Sequence, residues 1–109
     1  MKKIASAIAL ILLSHSATAE PDRDELSQCS VVLTVMSARY LNNPQTMQGV
    51  RRLQNLNMKY AIQVFGSMDA FAEHNRTYGK EFYQWLKVQS SETETEILQG
   101  CVNMLNSPQ

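Results

Sequence analysis

Hydrophobic positions recur at helical spacing in four segments of the chain. In the first, roughly residues 23–42, apolar side chains alternate at intervals of three and four and so share one helical face: Leu26, Cys29, Leu33, Met36 and Tyr40. Val31, Val35 and Ala38 fall on the opposite side, which predicts neighbours on two faces. The Val-Val-Leu-Thr-Val run also suits a strand, but the helical spacing extends beyond it in both directions and favours a helix.

The second segment, roughly residues 45–65, is defined most clearly by its polar side. Polar residues recur there at intervals of four, three, four and four: Gln48, Arg52, Asn55, Lys59 and Gln63. Apolar side chains fill the rest of the helix circumference. So wide an apolar arc needs several packing partners, or a ligand or protein surface in place of one of them.

The third segment, roughly residues 68–88, carries an aromatic stripe after Ser67 or Asp69 as N-cap. The stripe contains Phe71, Tyr78, Phe82, Trp85 and Leu86. Asn75 projects into the middle of this stripe, where its side chain would need a buried hydrogen-bond partner.

The fourth segment, roughly residues 92–106, begins with a capping-box spacing, Ser91-x-x-Glu94. Its apolar face contains Ile97, Leu98, Cys101, Met104 and Leu105. Turn-forming residues separate the four segments at 42–44, 66–67 and 90–91. The pattern predicts an all-α protein, a small antiparallel bundle of four helices in up-down-up-down order.

The two cysteines, Cys29 and Cys101, are predicted to form one disulfide. In an up-down-up-down bundle the first and last helices are antiparallel neighbours, so the start of one lies level with the end of the other. Closing a loop of this length stabilises a fold by about 4 kcal/mol on the chain-entropy model. The bridge also implies an oxidising compartment.

The N-terminus reads as a cleavable signal peptide over residues 1–19. Lys2 and Lys3 precede an apolar run, and Ala17-Thr18-Ala19 is a cleavage site ahead of Glu20. The apolar run is too short to span a bilayer, so no stable membrane anchor is expected after cleavage. The prediction is a single helical domain over residues 20–109 that is periplasmic or secreted.

The charge of residues 20–109 argues against a nucleic-acid partner. Loss of Lys2 and Lys3 leaves 8 of the 10 basic residues against all 10 acidic ones. A nucleic-acid binder should carry a basic stripe, and the only clustered cations are Arg51 and Arg52. A protein partner is the better expectation.

Candidate catalytic and metal-binding chemistry is sparse. His74 is the only histidine of residues 20–109, and it follows Glu73 without a second ligand at helical spacing. The methionines lie at helical core positions and suit packing better than copper binding. No Ser/His/Asp or Cys/His set can be assembled. Neither a metal, nor a cofactor, nor catalysis is therefore expected.

The leading hypothesis is an exported helical protein that binds another protein, as an adaptor, inhibitor, immunity factor or small chaperone; a second copy of the chain is one option for the partner. Candidate partner-binding residues are those of types common at interfaces: Arg51, Arg52, Leu56, Tyr60 and Tyr83. The alternative is a carrier of a small ligand or metal, with a pocket between helices lined by Phe71, Asn75, Tyr78, Phe82 and Trp85. An enzyme is the third and least favoured class.

Overall fold

The computed structural model describes residues 21–106, which form four α-helices. These are α1 (Arg23–Arg39), α2 (Pro44–Phe65), α3 (Met68–Leu86) and α4 (Ser91–Asn106). Residues 21–106 contain no strand, so the all-α prediction is confirmed, and the Val-Val-Leu-Thr-Val run is helical. The predicted signal peptide lies outside the described residues. Within them, no helix is long and apolar enough to cross a membrane.

Local side-chain chemistry defines the ends of α2 and the start of α3. Asn43 caps α2, its Oδ1 accepting a hydrogen bond from the Thr46 N–H at 3.1 Å, and Pro44 occupies the first turn, where no N–H is required. Gly66 ends α2 in the left-handed region, with φ of 91°. Ser67 then caps α3, as predicted, by accepting from the Ala70 N–H at 3.1 Å.

Three details of the predicted helices were wrong. Helix α4 is capped by Ser90, which accepts from the Thr93 N–H at 3.2 Å, so Ser91-x-x-Glu94 is not a capping box. Glu94 is free to bind the Arg39 guanidinium instead. Helix α1 ends at Arg39, because residues 40–43 form the turn that presents the α2 cap, and Tyr40 is 38% exposed. Met68, expected in the core, is 45% exposed because it follows the cap at the end of the bundle.

Helix α1 packs against all three other helices. It runs antiparallel to α4, because the disulfide joins its start to the end of α4 and Arg39 at its own end binds Glu94 near the start of α4. It runs parallel to α3, as shown by successive contacts from Asp24 to His74 and from Gln28 to Tyr78. These directions are those of an up-down-up-down bundle.

The disulfide lies in the middle of the core. Cys29 and Cys101 are both completely buried, their Cα atoms are 5.3 Å apart, and 72 residues separate them in sequence. Around them pack apolar side chains from all four helices, among them Leu26, Leu33, Ala61, Phe71, Phe82, Ile97 and Leu105. The predicted bridge is thus present, and it is compatible with an oxidising extracellular compartment.

After its first two residues, helix α1 is buried on every side for more than one turn. Residues 25–29 are all buried, including the polar Glu25, Ser27 and Gln28. The Gln28 Nε2 donates to the Tyr78 hydroxyl at 2.7 Å, and Asn57 of α2 donates to the Leu26 carbonyl at 3.1 Å. We call residues 25–29 the closed half of α1.

Candidate functional site

The second half of α1, residues 30–38, has an open face. Positions 27, 30, 34 and 38 share one side of the helix by their spacing. Along it, Ser27 is completely buried, Ser30 is partly exposed, and Thr34 and Ala38 are more open to solvent. Solvent therefore reaches this side of α1 progressively toward its C-terminal end. We call residues 30–38 the open half of α1.

The open face follows from the way α2 joins α3. The two-residue Gly66–Ser67 turn forces these helices together, and the Phe65 ring lies 5.2 Å from the Phe71 ring and 5.1 Å from the His74 ring. This junction covers the start of α1, since His74 contacts Asp24. Farther from the junction, the clefts beside α1 are lined either by α3 or by α2, but not by both.

Two of the clefts beside the open half share Ser30 and Thr34. The α1–α3 cleft has a volume of about 410 Å³ and is lined by Ser30, Val31, Thr34, Val35, Ala38, Asn75 and Tyr83. The α1–α2 cleft has a volume of about 320 Å³ and is lined by Ser30, Leu33, Thr34, Gln54, Asn55, Asn57 and Met58. Because both include Ser30 and Thr34, these residues form a raised strip between the clefts. We call Ser30, Thr34 and Ala38 the α1 ridge.

The ridge has little free hydrogen-bonding capacity, although Ser30 and Thr34 carry hydroxyls. The Thr34 Oγ1 donates to the Ser30 carbonyl at 2.8 Å, and the neighbouring Ser37 Oγ donates to the Thr34 carbonyl at 2.8 Å. Hydroxyls bound to their own helix backbone in this way make little demand on solvent or on a partner. Residues 26–38 also include no charged residue. A partner would therefore meet a small, uncharged surface.

Asn75 and Gly79 bring α3 close to the ridge. The Asn75 Nδ2 donates to the Ser30 Oγ at 3.4 Å, and its Oδ1 is buried without a hydrogen-bond partner. A Cβ at Gly79 would lie 2.4 Å from that Oδ1 and 3.4 Å from the Val31 side chain. Gly79 is thus required for the Asn75 amide to lie against α3. The position of Asn75 on the aromatic stripe predicted a buried hydrogen-bond partner. In the structure that partner is Ser30, which bonds the Asn75 Nδ2 but leaves the Asn75 Oδ1 without a partner.

The five candidate partner-binding residues are divided between surfaces. Tyr83, 44% exposed, lines the α1–α3 cleft, and exposed Arg51 precedes Gln54 and Asn55 of the α1–α2 cleft by one helical turn. Arg52 lies on the polar stripe of α2. Half-buried Leu56 packs against the core, and the Tyr60 hydroxyl donates to the Leu105 carbonyl of α4 at 3.5 Å. Tyr83 thus borders the ridge on the α3 side, and Arg51 lies one turn from the cleft on the α2 side.

The aromatic residues of the candidate ligand pocket lie mainly in the core. Phe71 and Phe82 are 3% and 0% exposed, and half-buried Trp85 stacks on Phe82 with ring centroids 5.8 Å apart. The Tyr78 hydroxyl accepts a hydrogen bond from Gln28, and burial raises the pKa of Tyr78 to about 12. Asn75 lies apart from the rings, in the α1–α3 cleft.

His74 lies at the junction of α1, α2 and α3. Its ring stacks on Tyr78 at 5.4 Å and contacts Phe65, and its Nε2 is 3.1 Å from the Asp24 Oδ1. Across residues 21–106 no group of three His, Cys, Asp or Glu side chains could hold a metal ion. The geometry gives His74 a packing role between three helices.

Sequence reasoning identified the second apolar face of α1 but not the ridge. The missed signal is the uncharged run from Leu26 to Ala38, in which small residues recur at positions 27, 30, 34 and 38. Gln28 was also missed as a buried residue, because nothing local distinguishes it from a surface glutamine.

Two clefts beside an uncharged ridge, in a disulfide-bonded helical bundle, are features typical of a protein-binding surface. No protein-family model matches the chain, and no curated protein or solved structure gives a significant match.

Proposed function

We propose that the chain is an exported protein, periplasmic or secreted, that acts by binding another protein on the α1 ridge and its two clefts. The observation that carries the proposal is the open half of α1, a helix face without charge in a chain of 109 residues. Such a surface binds a partner through shape and apolar contact, because the Thr34 hydroxyl is bonded to its own helix and the Ser30 hydroxyl accepts from Asn75.

The fold supports binding better than transport of a small ligand. The rings of Phe71, Phe82 and Trp85 pack against one another or against the core, whereas the clefts beside α1 open to solvent along their length. An open cleft suits a polypeptide segment, which contributes its own backbone hydrogen bonds.

Site-specific photo-crosslinking in the native host tests this function. A photoreactive amino acid at Thr34 should yield a defined covalent adduct with one partner. The matched control is the same amino acid at Gln63, an exposed helical position on the polar stripe of α2, and it should not give that adduct. The same adducts from both positions, or none from Thr34, would refute the proposal.

Export is tested on the same material. The protein recovered from the host should begin at Glu20 and resist thiol alkylation, because Cys29 and Cys101 are joined. A chain that retains residues 1–19 in a cytosolic fraction, with two reactive thiols, would contradict export.

A further inference from the structure

The residues bordering the α1 ridge indicate which kind of partner it fits. We infer that the ridge binds an amphipathic α-helix of the partner whose small apolar face is flanked by carboxylates. This inference rests on the proposed function and specifies its partner chemistry.

The shape of the surface favours a helix. A helix surface consists of ridges and grooves, and two helices pack when the ridge of one enters the groove of the other. The α1 ridge repeats at intervals of four residues, from Ser30 to Thr34 to Ala38, and has a groove on each side. A partner helix can place one row of side chains in each cleft. From residue 30 to residue 38 the ridge rises by eight residue steps, about 12 Å, or roughly two helical turns.

The α3 side of the surface is basic. Arg76, Lys80, Tyr83 and Lys87 recur at intervals of four, three and four, so they share one helical face, and all four are exposed. Tyr83 lines the α1–α3 cleft, and the Lys87 Nζ lies 5.7 Å from the centre of its ring. Arg76 is neutralised by Glu73 at 2.7 Å, which leaves Lys80 and Lys87 as the uncompensated charges.

The α2 side is basic as well. Helix α2 contains Arg51, Arg52 and Lys59 but no Asp or Glu. Arg51 lies one turn before the residues that line the α1–α2 cleft. Within residues 21–106, Arg51, Lys80 and Lys87 take part in none of the salt bridges. Arg51, Lys80 and Lys87 each lie one helical turn from a residue that lines one of the two clefts, although residues 20–109 have an acidic excess overall.

The acidic residues of α3, and Glu94 of α4, do not offset this local charge. On α3, Asp69 and Glu73 lie near the junction with α2, and Glu81 is two residues from Tyr83, so it projects from the opposite side of the helix. Glu94 is bound to Arg39. Carboxylates on a partner helix would meet Arg51 on one side and Lys80 and Lys87 on the other, which would favour an acidic partner over a basic one.

Designed peptides and charge reversal test this inference. The probes are two helical peptides that share an alanine and leucine face, one flanked by Glu and the other by Lys, with binding measured by fluorescence anisotropy. The Glu peptide should bind at least about tenfold more tightly, and the difference should shrink at high salt. Equal affinity of the two peptides, or a preference for the Lys peptide, would overturn the inference.

The variant Lys80→Glu/Lys87→Glu should lower the affinity for the Glu peptide by about tenfold, because it replaces two attractive charges by two repulsive ones. It should remain folded, because exposed lysines contribute little to folding. The control is Arg23→Glu, which reverses an exposed charge at the start of α1 that lines neither cleft and should change affinity by less than about threefold. Loss of equal size in both variants would contradict binding at the ridge. Circular dichroism and the unfolding midpoint verify that each variant is folded.

The native adduct separates this inference from the proposed function. If Thr34 crosslinks to a partner but the adduct maps to a basic or non-helical segment, the binding function stands and the acidic helix is refuted. An adduct between two copies of the chain would likewise overturn the acidic helix in favour of self-association. Absence of any adduct refutes the binding function itself.

Discussion

The closed half of α1 is buried on every side, whereas the open half is buried only on the side that carries Val32, Leu33 and Met36. Residues 25–29 are buried even where they are polar, whereas Thr34 and Ala38 are open to solvent although they lie in an uncharged run. The difference arises outside α1, at the tight junction where Phe65 meets Phe71 and His74. Helix neighbours, rather than the composition of a helix, decide which of its faces is available for binding.

The halves also differ in how their polar groups are bonded. In the closed half, Gln28 reaches Tyr78 on another helix, whereas in the open half Thr34 and Ser37 bond to their own backbone. Interhelical bonds fix the packing of the core, and the local bonds leave the ridge free to contact a partner.

The largest expected effect comes from removing the covalent link that holds the closed half to α4. Cys29→Ala/Cys101→Ala should lower the free energy of unfolding by about 4 kcal/mol, because the 72-residue separation makes the unfolded loop long. Urea unfolding followed by circular dichroism measures the change. An unaltered midpoint would mean that the bridge does not restrict the unfolded chain.

A matched pair of substitutions on one helix face tests the contrast directly. Ser27→Leu should cost about 2 kcal/mol by overpacking the closed half, whereas Thr34→Leu should change stability by less than about 0.5 kcal/mol. Ser27→Ala is the control, and it should be close to neutral or stabilising because the buried Ser27 Oγ has no hydrogen-bond partner. Equal costs at positions 27 and 34 would show that the two halves are buried alike.

Substitutions at two helix glycines test the contact between α3 and the ridge. Gly49→Ala should stabilise by about 0.5–1 kcal/mol, because the added Cβ would have no neighbouring atom within 4 Å. Gly79→Ala should give no such stabilisation, since its Cβ would meet the Asn75 Oδ1. In an Asn75→Ala background, Gly79→Ala should stabilise by the same amount as Gly49→Ala. Thermal unfolding of the wild type, the two single variants at 75 and 79 and their double variant measures the coupling. Additive effects at positions 75 and 79 would argue against the contact.

The smallest effect concerns pH and the closed half. Burial raises the pKa of Tyr78 in the folded chain to about 12. The protonated Tyr78 hydroxyl therefore contributes fully to stability below the ordinary tyrosine pKa of about 10, and this contribution is lost as the pH rises through the folded pKa. Spectroscopic titration of tyrosinate should show the highest component disappear in Tyr78→Phe but persist in Tyr83→Phe. Persistence in both variants would assign that component to another tyrosine.

Much of the fold could be predicted because it depends on residue types at short spacings along the chain. The four helices, Ser67 as a cap and the pairing of Cys29 with Cys101 follow from periodicity, capping chemistry and cysteine count. The misplaced cap of α4 shows the limit, since Ser90 and Ser91 offer the same hydroxyl one residue apart. In the structure Ser90 is the cap and the Glu94 carboxylate binds Arg39 on another helix, a tertiary contact that local spacing does not reveal.

The candidate surface was only partly predictable. Tyr83 and Arg51 were singled out by residue type, and Val31, Val35 and Ala38 by their second apolar face, but nothing in the sequence brought them to one place. The aromatic stripe of α3 was as well suited to a pocket as to a core, and only the packing of its rings distinguishes the two.

The sequence by itself determined four amphipathic helices, their turns and one disulfide, because these depend on residues close in the chain or on a unique cysteine pair. Only the tertiary structure decided that Ser27 is buried while Thr34 is open to solvent on the same face of α1. That outcome depends on the junction beside the Gly66–Ser67 turn, where side chains from three different helices, Phe65, His74 and Asp24, are brought together, and Asp24 is far from the other two in the chain.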